Sequence, residues 1–210
     1  MSDSQIRLRA ASAYVLPDAF TMADVAERSR AAYLAVMKSA LSPFRNADLA
    51  EWLKGPYRLA TTPAGAMLGR SPTPFAEARG SVDIHVDVLT LQAREEALEV
   101  LRRIKSHKER DTSFTFEALN RGFIVPCRDG AGTRGHVPVD APDMKLYERV
   151  LSLIAVDYIA RPNELEDRMS LCPMCEVPFF DGRHACPRAL GVYSSTGSGT
   201  HPASRVRRAG

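Results

Sequence analysis

An α+β fold is predicted by three observations on this chain of 210 residues. Apolar residues recur at helical spacing over long stretches, one stretch of strict apolar–polar alternation runs directly into such a helix, and short strand signals bracket turn residues. The expected order is a helical N-terminal part over 1–62, a Pro/Gly-rich linker or loop over 63–80, and an α+β core over 81–162 with a long helix at 142–160. A small cysteine-bearing element over 163–190 and a disordered tail over 191–210 complete it. A composition of 45% apolar and 25% charged residues is ordinary for a globular protein, and the length suits either one sizeable core or a core with one small appended module. A net charge of +3 permits an acidic partner without requiring one. No apolar run reaches membrane-spanning length and Met1 to Leu16 lacks the apolar core of a secretory signal, so no membrane partner and a cytoplasmic location are expected.

The N-terminal arm to Pro17 carries one short strand signal at Ala13 to Leu16. Thr21 then caps a helix, with Asp24 in the capping-box position, and Met22, Val25, Ala26, Ala32, Tyr33, Val36, Met37, Ala40 and Leu41 follow at helical spacing until Pro43. Such a stripe packs on the chain's own core or builds a homo-oligomer. A short helix from Asn46 or Asp48 carries Leu49, Trp52 and Leu53, and Gly55-Pro56 is expected to stop it. Trp52 reads as a core anchor.

Ser81 to Leu91 reads as a strand, with Val82, Ile84, Val86 and Val88 on one face and Asp83, His85 and Asp87 on the other. Two carboxylates around an imidazole are metal or acid–base groups, so these three are the candidate catalytic residues of a metal-dependent hydrolase. The bland alternative is the polar face of a half-exposed strand. Gln92 to Lys108 continues as an amphipathic helix.

Phe114 to Arg121 reads as a further helix, closed by Gly122 in the left-handed conformation. Two short strands, Phe123 to Cys127 and His136 to Val139, flank the basic, glycine-rich loop Arg128 to Gly135. Helix then hairpin resembles the recognition helix and wing of winged helix-turn-helix proteins. The resemblance implies nucleic-acid contacts from Asn120 and Arg121 on the helix and from Arg128 and Arg134 on the hairpin. The loop lacks the G-K-[ST] ending of a P-loop, which argues against a phosphate cradle. Cys127 reads as a small buried hydrophobe.

Pro142, with Asp140 ahead and Asp143 in the first turn, opens a helix so apolar that it is expected at the centre of the fold. Arg161-Pro162 ends it, and a polar connector over 163–170 leads to Leu171–Pro187, L-C-P-M-C-E-V-P-F-F-D-G-R-H-A-C-P, which holds three of the four cysteines and one of the five histidines. Cys172 and Cys175 have the spacing that aims two sulfurs at one tetrahedral ion, and His184 and Cys186 share a face in an extended chain. The expected cofactor is a structural zinc ion held by Cys172, Cys175, His184 and Cys186. Buried free thiols are the alternative; a disulfide is disfavoured without a secretion signal.

This stretch resembles the zinc-ribbon and zinc-knuckle class, departing from it by ending on His-x-Cys. A turn at Asp181-Gly182 would make Phe179–Phe180 and Arg183–Ala185 the two ribbon arms. A regular ladder of that kind holds Cys175 on the order of 13 Å from His184, too far for one ion. Either Pro178 interrupts the strand or the fourth ligand is another group, such as His201. Three functions remain open: a zinc-containing nucleic-acid-binding or transcription-regulatory protein aided by Arg205, Arg207 and Arg208, an adaptor that binds a protein partner around a structural zinc, and the hydrolase.

Overall fold

One apolar helix organises the chain. A computed structural model describes residues 14–39, 46–69, 86–106, 113–141, 144–180, 184 and 186. Among these, the helices are α1 (Met22–Ser39), α2 (Asn46–Trp52), α3 (Arg58–Met67), α4 (Val86–Ser106), α5 (Ser113–Asn120) and α6 (Leu146–Ala160). Strands β1 (Ile124–Arg128) and β2 (Arg134–Pro138) form one antiparallel pair, and β3 (Met169–Leu171) and β4 (Pro178–Phe180) form another. Local antiparallel pairs beside helices that carry the core are the α+β class the sequence predicts. Helix α6 packs against α1, α4, α5 and the β1–β2 pair, with Val150, Leu153, Ile154, Ala155 and Val156 buried. No described helix is long and apolar enough to cross a membrane.

Helix α1 starts as its sequence signals. The Asp24 N–H donates to Thr21 Oγ1 at 3.1 Å and the Thr21 N–H to the Asp24 carboxylate at 3.0 Å, a reciprocal cap. Its stripe from Met22 to Met37 is buried as expected; Ala40 and Leu41 lie outside the described residues. Helix α2, by contrast, does not stop at Gly55-Pro56. Leu53–Tyr57 widen into a π-helical turn that runs on into α3 through Pro63. Pro56 has no N–H to donate, and a widened turn carries the chain past a missing donor. Buried Tyr57 holds the turn from inside, its ring 4.9 Å from Trp52, whose Nε1 donates to the Ala32 carbonyl at 2.8 Å. The loop expected from Pro63 therefore begins beyond Met67, and residues 70–85 lie outside the described part.

The strand expected over 81–91 is corrected from Val86 onward, where the backbone is already α4. Asp83 and His85 lie outside the described residues. Valines at every second position suggest a strand, but a helix nucleated over 92–106 gains one hydrogen bond for each residue it adds, so it extends through residues of modest helix propensity. Helical backbone at Asp87 removes the alternation that put it on one face with His85.

Gly122, at φ 70°, closes α5 with the Phe123 N–H bonded to the Ala118 carbonyl at 2.9 Å, the left-handed stop the sequence predicts. Beyond it β1 and β2 pair in the register Ile124↔Pro138 to Arg128↔Arg134. The N-terminal arm joins them: Val15 bridges to Arg128, and the Leu16 N–H donates to the Arg128 carbonyl at 2.7 Å.

The start of α6 is set by Lys145, extended at φ −72° and ψ 160°, whose N–H donates to the Glu148 carboxylate at 2.8 Å; Pro142 and Asp143 lie outside the described residues. Where a polar connector over 163–170 is expected, a second π-helical turn, Glu164–Arg168, leads straight into β3. Two of the three buried charges on α6, Arg149 and Asp157, are tied into the core. Asp157, fully buried, accepts from Arg30 Nε at 2.8 Å, Arg161 Nη2 at 2.7 Å and the Tyr33 hydroxyl at 2.9 Å. Arg149 pairs with Asp140 and also donates to the Tyr57 hydroxyl at 3.2 Å and the Ala141 carbonyl at 2.9 Å. Buried ions persist only when partnered in this way. Burial, then the Asp157 charge, raises the Tyr33 hydroxyl well above its usual range, which keeps it a neutral donor.

Candidate metal centre

Strands β3 and β4 pair as Met169↔Phe180, Ser170↔Phe179 and Leu171↔Pro178, so the C-x-x-C turn is the loop that joins them. Inside that loop the Glu176 N–H donates to the Cys172 carbonyl at 2.7 Å and the Cys172 N–H to the Val177 carbonyl at 3.1 Å. The fold-back needs a left-handed residue, and Glu176 supplies it at φ 57°. A residue with a Cβ adopts that conformation at a cost of about 1–2 kcal/mol. Two arginines of α4 hold it there. Arg102 pairs with the Glu176 carboxylate, while Arg94 Nη2 lies 3.6 Å from that carboxylate and donates to the Cys175 carbonyl at 3.0 Å.

Cys172, Cys175, His184 and Cys186 place one ligand atom each so that all lie within 4.8 Å of one another. His184 Nε2 is 3.1 Å from Cys175 Sγ, and the Phe179 ring stacks on the imidazole with centroids 5.5 Å apart. All three cysteines of the cluster are buried. Phe180 instead packs on the main core, with the Arg30 guanidinium 4.0 Å from its ring centroid. The cluster is thus tied to α4 on one side and, through Phe180 and Arg30, to α1 on the other.

The second of the expected ribbon arms, Arg183–Ala185, falls largely outside the described residues. β4 pairs with β3, and the four donor atoms converge although a regular ladder would have held Cys175 far from His184. Three residues of Pro178–Phe180 are paired before the chain returns with His184 and Cys186, and residues 181–183 and 185 lie outside the described part, as does His201. The described cluster already holds four donors.

The thiols differ in character. Burial raises Cys172, but backbone N–H groups of Cys175 and Met174 outweigh it and bring the thiol below its ordinary value. Cys175 is pushed up to about 11 by burial and by the neighbouring sulfurs. Three buried soft sulfurs and a half-buried imidazole form a four-donor set that suits a tetrahedral metal ion.

The residues expected to touch nucleic acid separate into two groups. Arg121 pairs with Glu148 and with Glu117 at 3.5 Å and lies over the Phe123 ring, so it fastens α5 to α6; Asn120 is exposed at the end of α5. Arg128 and Arg134 are both exposed and face each other across the hairpin. The glycine loop between them cradles an anion of its own chain. The Asp129 carboxylate accepts from the N–H groups of Thr133 at 2.8 Å and Met22 at 3.3 Å, which leaves that nest filled. Cys127 is buried, its thiol raised to about 11 by burial and the Asp129 charge, in keeping with a packed hydrophobe. Arg94 and Arg102, which no motif singles out, lie 81 positions from Cys175 and 74 from Glu176, beyond the reach of any sequence period. No protein-family model, curated protein or solved structure matches this chain, so the chemistry of its own side chains carries the functional reading.

Proposed function

We propose that Cys172, Cys175, His184 and Cys186 hold one structural zinc ion and that the protein is a non-enzymatic binding module built around it. The observation that carries this is the convergence of four donors within 4.8 Å in a buried cluster. Zinc is the ion whose structural sites most often use three thiolates and an imidazole, and a closed donor set favours stabilisation over catalysis. Elemental analysis of the purified full chain should find one zinc per chain, lost in Cys172→Ser and in Cys175→Ser together with stability. Variants that keep both metal and stability would overturn the assignment.

A nucleic-acid role receives support from the hairpin. The Arg128 backbone bonds to Tyr14 and Leu16 on the arm side, so Arg128 and Arg134 form a non-hydrogen-bonded pair, the closest kind of cross-strand neighbours. Like charges opposite one another are unfavourable unless an anion sits between them. Anisotropy of a labelled random duplex, and of single strand, at low and physiological salt tests this reading. Salt-sensitive binding lost in the Arg128→Ala/Arg134→Ala double variant is expected; no binding at low salt leaves a protein partner, or a second copy of the chain, as the target. The hydrolase reading gains nothing from a helical Asp87 and is not carried further.

A further inference from the structure

We propose that Arg94 is the counter-ion of the metal–thiolate cluster; this rests on the structural-metal reading above. A divalent ion bound by three thiolates and a neutral imidazole carries one net negative charge. Around it stand Arg94 and Arg102, which are positive, and Glu176, which is negative. Glu95 also touches Arg94, at 3.1 Å, but it is 60% exposed and its charge is screened by water.

Arg94 differs from Arg102 in how it is held. Its side chain is 11% exposed against 42% for Arg102, and its Nε is a buried donor with no hydrogen-bond partner among the described residues. A buried guanidinium N–H is seldom left unused, since the missing bond is not repaid by water. Its Nη2 already reaches the Cys175 carbonyl, on the residue that carries one of the sulfurs. Thiolates formed on metal uptake would offer an acceptor to the one N–H of this arginine that has none. Outer groups of this kind orient the ligands and commonly govern retention of the ion.

The test compares release of zinc to a chelator in the full-length wild-type chain and in Arg94→Gln, Arg94→Lys, Arg102→Gln and Glu176→Gln. The spectrum of the Co2+-substituted protein reports tetrahedral thiolate coordination in each. Release on the order of tenfold or more faster in Arg94→Gln is expected, with Arg94→Lys between it and wild type because the charge stays and the fork is lost. Glu176→Gln, which removes a negative charge, should hold zinc at least as well as wild type. Wild-type release from Arg94→Gln, or release from Glu176→Gln as fast as from Arg94→Gln, overturns the proposal while leaving the metal site intact. A wild-type chain that takes up neither zinc nor Co2+ overturns the metal reading itself and this proposal with it. Should Arg94→Gln fail to fold, the order Arg94→Lys below wild type and Glu176→Gln not below it still decides the matter.

Discussion

The helical core around α6 and the cysteine element after it hold themselves together by different means. The core buries a continuous set of apolar side chains from α1, α3, α4, α5, α6 and the first hairpin. The cysteine element buries Val177 with three cysteines, and Phe179 packs against them. So small an apolar cluster cannot offset the entropy of ordering its loop, which is why small elements recruit metals or cross-links. On the proposed reading, the size of the apolar cluster within reach decides whether side-chain burial or an ion supplies local order.

The sharpest way to break this comparison is to remove the metal. A closed zinc site contributes on the order of 10 kcal/mol of apparent binding energy, so chelation should abolish amide-exchange protection over β3, the knuckle and β4 while α1 and α6 keep theirs. Equal loss in α6 would make the core dependent on the ion and merge the two regions. Next in size is Asp157→Ala, expected to cost about 3–5 kcal/mol in urea unfolding because it leaves buried donors of Arg30, Tyr33 and Arg161 without their acceptor. Arg30 also lies against Phe180, so this variant should lower protection in β4 as well; unchanged exchange there would show that the cysteine element leans on α4 alone.

Smaller effects belong to the core side of the comparison. Gly122→Ala should lower stability by about 1 kcal/mol or more, since φ 70° strains any residue with a Cβ; a neutral result in thermal melts would mean the turn relaxes freely. The least effect is a pH dependence from His136, whose imidazole is pushed below its ordinary 6.5 by burial. The unfolded chain then binds a proton more readily than the folded one, so this contribution is complete above pH 6.5 and is lost as pH falls below it. Glu148 and Glu164, held below the ordinary 4.5, lose their contributions only at lower pH. Denaturation midpoints at pH 7.5 and 5.5 should converge in His136→Gln relative to wild type, and an unaltered difference would exclude this histidine as the cause.

Much of the fold was legible because its signals are local. Thr21 and Asp24 stand three positions apart and cap each other, the stripe from Met22 to Met37 needs only helical spacing, and Gly122 stops α5 because few other residues take its backbone angle at low cost. The four metal donors were legible for the same reason, as pairs separated by one or two residues. Illegible features depend on long-range partners. Valine alternation resembled a strand although from Val86 onward the backbone is α4, and Pro56 resembled a stop until buried Tyr57 and Trp52 held the turn around it. Nor does spacing reveal that β4 pairs with β3, since a turn at Asp181-Gly182 offers an equally regular alternative.

By itself the sequence determined the α+β class, the centrality of α6 and the four donors of the cysteine element, since each is encoded by spacing, turn chemistry or the scarcity of polar residues. Tertiary structure decided where the donors meet, which arginines surround them and which charges α6 buries. Those choices rest on contacts such as Arg94 with Cys175, 81 positions apart, and Arg30 with Asp157, 127 apart. An arginine on a helix reads the same whether it ends in water or against a buried anion, because only packing sets the dielectric and the partner that distinguish the two.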